Sequence, residues 1–433
     1  MSTLTDPTST GASPGPAAPT GEVVTLVSRK TPVVLGVLTV GLALILLFQP
    51  ESGETTLRLA RETDFFQLPD LTLPTMPTAW ALTIVCALLT GESVRRYLAK
   101  KRTPMWLVAI YAIAWMTGFL VWAAVGETLP VVGLLAGSLA LAVPLVFGAL
   151  GGVLGERAGV VNIAIDGQLL FGAFAAAVVS SMTGSPWPGL LAASIAGALV
   201  ALILGLFAIS YFVDQIIVGV VLNVLVIGIT SFLFSQVLAP NAADLNTSAR
   251  FKVVPIPVLG DIPLIGPILF RQTPVVYVLY IAVAVVTFAL YRTRWGLRVR
   301  AVGEHPMAAD TVGIKVNRTR YRTILIAGAV AGLGGAFYTL VSVPQFNREM
   351  TGGAGYIALA AVIFGKWDPI RATLAALLFG FASNLQGVLS VIGSPVPSQF
   401  MLMLPYVVTI FAVAGLVGRS RPPAADGVPY RPQ

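Results

Sequence analysis

The sequence predicts an all-α fold, a polytopic transmembrane helical bundle of about twelve membrane segments, and three observations lead there. Only 11% of the residues are charged and 56% are hydrophobic, where a soluble globular domain carries about 25% charged residues. The apolar residues gather in runs of about 20, the length a helix needs to cross a hydrocarbon layer while bonding its own backbone internally. These runs are Leu, Val, Ala and Gly throughout, without the alternation of an outer-membrane strand, so a barrel is excluded.

Taken in order, residues 1–28 are Thr, Ser, Pro, Gly and Ala with few large apolar side chains, and cannot offset the entropy of ordering. They are read as a disordered cytoplasmic tail. The first apolar run follows this long polar leader and meets Gln49, Pro50 and Glu51 where a cleavage site would need small residues, so it is read as a retained helix. The expected spans are 32–49, 78–97, 104–125, 131–154, 160–182, 187–211, 216–238, 274–291, 323–342, 356–366, 371–392 and 400–418, the tenth of them short.

Charge tests that count. Arg29 and Lys30 precede the first span, and Arg95, Arg96, Lys100, Lys101 and Arg102 separate the second from the third. The loop from Arg292 to Arg322 carries a net charge of +6, and Arg419 and Arg421 follow the last span. Twelve crossings put every one of these clusters on one face, the cytoplasmic one by the positive-inside rule, with both termini there. The loop 50–77 is then external and acidic, and 239–273 is the second long external loop, where Pro255, Pro257, Pro263 and Pro267 oppose a long helix. The overall charge of +8 thus reflects membrane topology, and no nucleic-acid partner is expected.

Several chemistries are excluded by residue count. The one Cys, Cys86, lies in an apolar run and cannot form an intramolecular disulfide, and the one His is His305, so a His/Cys metal cluster is excluded and no Ser-His-Asp triad is expected. No GxxxxGK[ST] phosphate loop occurs; Gly365-Lys366-Trp367 lacks its upstream Gly and its hydroxyl residue. No cofactor is expected on this chain, and any ATP must be hydrolysed by another.

Two segments carry mechanism. In Gly303-Glu304-His305-Pro306-Met307-Ala308-Ala309-Asp310-Thr311-Val312-Gly313, Pro306 suits the first turn of a helix and Gly313 the left-handed residue after its last turn, giving a short capped helix in the basic loop. In Gly155 to Gln168, Asn162, Asp166 and Gln168 enter the membrane inside a Gly-punctuated stretch. A carboxylate there costs about 2.5–3.5 kcal/mol on insertion scales, and irregular backbone at that depth is tolerated only against protein or a water-filled cavity. The polar groups either satisfy backbone freed at a break or meet a solute.

These residues resemble the permeases of ATP-binding cassette importers of the branched-chain amino acid, ribose and nucleoside group, most closely the nucleoside type. Glu156 to Gly167 is similar to that branch's E-R-[SA]-G-V-x-N-[IL]-[GA]-[IV]-[ED]-G, with Asp166 for the commoner Glu and Ala164 for the commoner Gly. Arg300 to Gly313 resembles its R-A-V-G-E-x-P-x-A-A loop, and Gly352 to Gln386 its G-x-G-[FY]-I-A-L-A-A-V-I-F-G-x-W run.

The resemblance implies a permease core over 130–418 of roughly nine to ten helices, including the coupling loop 292–322. Around it lie the tail 1–28, an added three-helix region over 29–129 and a cytoplasmic tail over 419–433. It implies that Gly303, Glu304, Pro306, Ala308, Ala309 and Gly313 form the helix that docks into a separate ATPase subunit. Further partners implied are a second permease subunit, an extracytoplasmic substrate-binding lipoprotein and the bilayer of a bacterial cell membrane, with the chain itself no enzyme. Candidates for the translocation path are Asn162, Asp166, Gln168, Asn223, Asn384 and Gln386, with Phe174, Phe381 or Trp367 able to stack on a base.

Gly148 and Gly152, Gly151 and Gly155, and Gly328 and Gly332 have the spacing for close helix approach, within the chain or between permeases. The regions Val160–Ala177 and Tyr356–Phe381 also pair charged turns with Gly-rich helix, as two halves of a duplicated transporter would. The alternatives in substrate are a ribose-like sugar or a branched-chain amino acid. An ion-coupled secondary transporter would want more ionisable groups deep in the spans than Asp166 and Asp214, and a membrane enzyme would want clustered catalytic residues.

Overall fold

A computed structural model describes residues 29–62, 64, 66–393, 399, 403 and 421–431. Among them ten helices are long and apolar enough to cross a membrane. They are α1 (Lys30–Phe48), α2 (Thr75–Leu98), α3 (Met105–Ala123), α4 (Val131–Arg157), α5 (Ile165–Thr183), α6 (Pro186–Gly205), α7 (Gln215–Leu233), α9 (Pro274–Arg292), α12 (Val316–Phe337) and α14 (Pro369–Val391). π-Helical turns extend α6 to Ser210, α7 to Leu238 and α12 to Ser342. Short helices α8 (Ala242–Leu245), α10 (Arg294–Glu304) and α11 (Pro306–Thr311) lie between them. The apolar helix α13 (Ala354–Phe364) has 11 residues; at 1.5 Å per residue it covers about 16 Å, half a hydrocarbon layer. The expected span at 400–418, apart from Met403, and the tail at 1–28 lie outside the described residues.

Two of the helices are each preceded by an irregular stretch. Residues 158–164 are irregular before α5 begins, and 343–353 are irregular before α13 begins. The chain runs in the same order through both regions but in opposite directions: long helix (α4, α12), irregular re-entry, shorter helix (α5, α13), long helix (α6, α14). Each long helix supports the other half, α4 packing along α14 and α12 along α6, with α4 and α12 in contact at the centre.

Small residues make that core possible. A Cβ on Gly197 would collide with the Gly328 carbonyl, and one on Gly332 with the Ala193 carbonyl, so α6 and α12 touch backbone to backbone. Gly151 meets Ala327 and Ala331, while Gly148 and Gly152 meet Ala358 and Val362 of α13. The paired glycines of the sequence therefore serve packing within the chain.

Helices α1–α3 form a satellite bundle held by polar anchors to backbone: Tyr111 Oη donates to the Leu35 carbonyl at 2.7 Å and Trp115 Nε1 to the Leu38 carbonyl at 2.9 Å. Leu46, Ala79 and Trp122 of this bundle pack with Leu134 of α4 and Leu385 and Leu389 of α14. At one end a small sheet, not foreseen from the sequence, orders the acidic loop. β1 (Glu54–Arg58) pairs with β2 (Leu71–Pro74) and with β3 (Thr128–Pro130), which leads directly into α4. Arg271, on the ribbon of β4 (Val254–Pro255) and β5 (Arg271–Gln272), bonds Asp64 at 3.2 Å and Asp261 at 2.8 Å, joining the two long loops. The opposite end holds α10, α11 and residues 421–431.

The backbone contact of α6 with α12 makes a sharp prediction. Gly332→Leu should lower stability by about 3 kcal/mol or more, read as the unfolding midpoint in detergent. Gly228, on α7 with open space around its Cα, should gain about 0.5–1 kcal/mol as Gly228→Ala.

Candidate functional site at the helix breaks

Helix α4 ends where Gly159 takes a left-handed conformation, φ +80°, and the amide of Val160 bonds back to the Gly155 carbonyl. From there the chain climbs into the bundle, and three of its backbone groups bond side chains. The Val161 amide donates to Gln215 Oε1 at 2.7 Å. The Ile163 carbonyl accepts from Asn223 Nδ2 at 2.9 Å, and the Gly167 amide, in the first turn of α5, donates to Asn223 Oδ1 at 2.8 Å. Asn162 and Gln168 exchange reciprocal amide bonds of 3.0 and 3.1 Å.

Asp166 closes the junction. Its Oδ1 accepts from the Gly355 amide at 2.9 Å, and its Oδ2 accepts from Thr351 Oγ1 at 3.3 Å. The carboxylate thus stands in the first turn of α5 and at the first turn of α13 together, two helix N-termini whose partial positive charge favours an anion. Gly355 is required here, because a Cβ would overlap the Asp166 backbone. Asn162, Gln168, Asn223 and Asp166 are all buried. Tyr356 is the open member: its hydroxyl accepts from Asn223 Nδ2 at 3.1 Å while the residue is 48% exposed.

Four of the six sequence-nominated path residues therefore meet in one cluster. Asn384 lies elsewhere, donating from α14 to the Leu134 carbonyl of α4 at 2.7 Å, and Gln386 is half-buried further along α14. Trp367 is committed to packing, with its indole N–H on the buried Glu156 carboxylate and its carbonyl accepting from Arg157 Nε at 2.9 Å. Phe381 packs against the α1–α3 cluster, and Phe174 sits edge-on to Phe346 at 5.3 Å. Gln215, Thr351 and Tyr356 were missed in the sequence; the Gly-Gly-Ala-Gly run beside Thr351 was the available signal for a helix start.

The second element is the α10–α11 unit. Thr293 caps α10 through its hydroxyl, Pro306 begins α11, and Gly313 follows it with φ +84°. The motif splits into two faces. Gly303 is pressed against the Arg157 carbonyl with no room for a side chain, and Ala309 is buried beside Val302 and Val316. Glu304 and Ala308 face outward, with Met307 64% and Val312 75% exposed. Beside them a cavity of about 310 Å³ is walled by Arg298, Lys315, Arg318 and Arg322.

Replacing the junction carboxylate separates hydrogen bonding from charge. Asp166→Ala leaves the Gly355 amide and Thr351 hydroxyl unpaired and should cost about 1–3 kcal/mol. Asp166→Asn keeps an acceptor for Gly355 and should cost about half of that or less; unfolding midpoints of the purified variants check both.

Residues 134–413 match the family described as branched-chain amino acid transport system / permease component. The chain is 44% identical over 306 residues to the guanosine ABC transporter permease protein NupQ of Bacillus subtilis, covering 68% of this chain and 94% of that protein. It is 38% identical to the nucleoside ABC transporter permease protein NupC of Lactococcus lactis, covering 69% and 96%. It is 34% identical to the putative glucose ABC transporter permease protein TsgC13 of Haloferax volcanii, covering 66% and 92%. No solved structure matches the chain. Helices α1–α3 precede the matched region, and the junction and the α10–α11 unit both fall within it; the chain belongs to this family of ABC transporter permeases and is a multi-pass membrane permease.

Proposed function

We propose that this chain is the membrane-spanning subunit of an ATP-driven importer that carries nucleosides into a bacterial cell. The similarity to NupQ, which runs through 94% of that protein's length, carries the reading. ATP is hydrolysed by a separate subunit, which docks on the exposed Met307 and Ala308 of α11 and on Val312 just after it; the four cations around the neighbouring cavity favour an acidic counterpart. A second permease and an extracytoplasmic binding lipoprotein complete the transporter. The end that carries α10–α11 and the basic clusters is cytoplasmic, as are both termini. The core is 130–418, and 29–129 is an appended region.

The work asked of the chain is mechanical. Nucleotide-driven movement of α11 reaches the end of α4 through the close contact of Gly303 with Arg157, and so reaches the irregular turn 158–164. That turn leads to Asp166, which is shared with the start of α13, so a shift of one broken helix bears on the other. Asn162, Asp166, Gln168 and Asn223 hold this hinge, and half-exposed Tyr356 is their route to a solute. The two inverted halves then rock between outward and inward access as nucleotide binding biases one state.

Cells lacking this chain should lose uptake of labelled guanosine and uridine by about tenfold or more while glucose uptake is unchanged, and Ala308→Arg on the exposed face of α11 should match the deletion with normal membrane insertion. The similarity to the putative glucose permease favours a sugar as the second reading. Loss of glucose uptake with nucleoside uptake intact would establish that reading instead.

A further inference from the structure

Residues 421–431 return to the basic end and lie across the elements that surround α11. The Ala425 amide donates to the Gly303 carbonyl at 2.9 Å, and the Ala424 amide to Glu304 Oε2 at 3.2 Å. Tyr430 is buried with Val302, Ala309 and Val316, and its hydroxyl bonds Asp310. Thus the inner face of α10–α11 is completed by the C-terminal segment.

The same segment grips the start of α12 and the α4–α5 turn. Arg320 is 1% exposed, and its guanidinium donates to the Val428 carbonyl at 2.9 Å and to the Ala425 carbonyl at 3.5 Å. Gly159 has no room for a Cβ because Arg320 Nη2 and the Ala425 carbonyl would stand 2.8 and 2.9 Å from it. Gly427 lies against Val161, and the Arg431 guanidinium sits 5.1 Å over the Phe212 ring, in the link between α6 and α7. A buried cation needs compensating partners, and the hydrogen bonds described for the Arg320 side chain come from this segment. The Asp426 carboxylate adds opposite charge nearby; burial pushes its own ionisation up, and Arg320 opposes that rise.

We propose that residues 421–431 are a strap that positions the coupling helix, joining α10–α11 to the α4–α5 turn so that movement imposed on α11 reaches the helix breaks. Tyr430 is its anchor on α11 and Arg320 its anchor on the bundle. This rests on the coupling role given to α11 above. Without the strap, α11 keeps its outward docking face but loses the packing on its inner face, and Arg320 is left buried without its acceptors.

The test uses the complete transporter in proteoliposomes with labelled guanosine, reading the guanosine moved per ATP hydrolysed, the ATPase subunit that copurifies and the unfolding midpoint. The variants are a chain ending at Ser420, the same truncation with Arg320→Met, and the full chain with Tyr430→Ala. The ATPase subunit should copurify with all three, while guanosine moved per ATP falls at least about tenfold on truncation and about fivefold for Tyr430→Ala. Arg320→Met should return the midpoint of the truncated chain without returning the ratio, because it removes the stranded charge and leaves the link broken. A ratio that recovers with the midpoint, or that stays at the full-length value in Tyr430→Ala, overturns the strap. Ala308→Arg separates the two readings: if it leaves the ratio intact, coupling through α11 itself is wrong.

Discussion

Backbone that leaves a helix inside a membrane must find its hydrogen bonds in protein, because lipid offers none. The Asp166 carboxylate meets this constraint for two helices together, accepting from Gly355 and Thr351 while standing in the first turn of α5. Asn223 does the complementary work, donating to Ile163 and accepting from Gly167. Around this pair the irregular stretches 158–164 and 343–353 both end inside the bundle, where the two oppositely directed halves meet. The cost of an intramembrane charge is offset by two helix N-termini and direct hydrogen bonds.

Close packing supplies the second requirement. Broken helices contribute less apolar surface than full crossings, and lipid does not drive helices together as water would. The core instead relies on backbone approach at Gly197, Gly328 and Gly332 and at Gly151 against Ala327, where many short contacts replace large side chains. An interface packed this closely has low compressibility. The three additional helices rest on α4 and α14 at the other end, where Trp122 and Leu46 cover Leu134 and Leu385.

At the basic end, the α10–α11 unit presents two different faces. Gly303 and Ala309 turn inward and admit no larger side chain without moving α4 or the C-terminal segment, while Met307, Ala308 and Val312 stand outside. Polar contacts there run through backbone carbonyls of residues 425 and 428, so geometry and not side-chain identity holds much of the arrangement.

The sequence by itself determined the fold class, ten of the crossings and the capped helix at Pro306–Thr311 with its left-handed Gly313, because hydropathy, proline and glycine act locally and are read without a partner; the family was legible through the resemblance of three motifs. It also marked Asn162, Asp166 and Gln168 as costly enough to need a reason. Only the tertiary structure decided that reason, since the acceptor at Asp166 and the donor at Gly355 lie 189 positions apart. It likewise separated Asn384 and Gln386 from the junction, retired Trp367 to the end of α4, ordered the acidic loop as strands and revealed Arg320 as a buried charge under the C-terminal segment. Each of these depends on a contact between distant segments, and a hydrogen bond of that kind leaves no periodic trace in the chain that makes it.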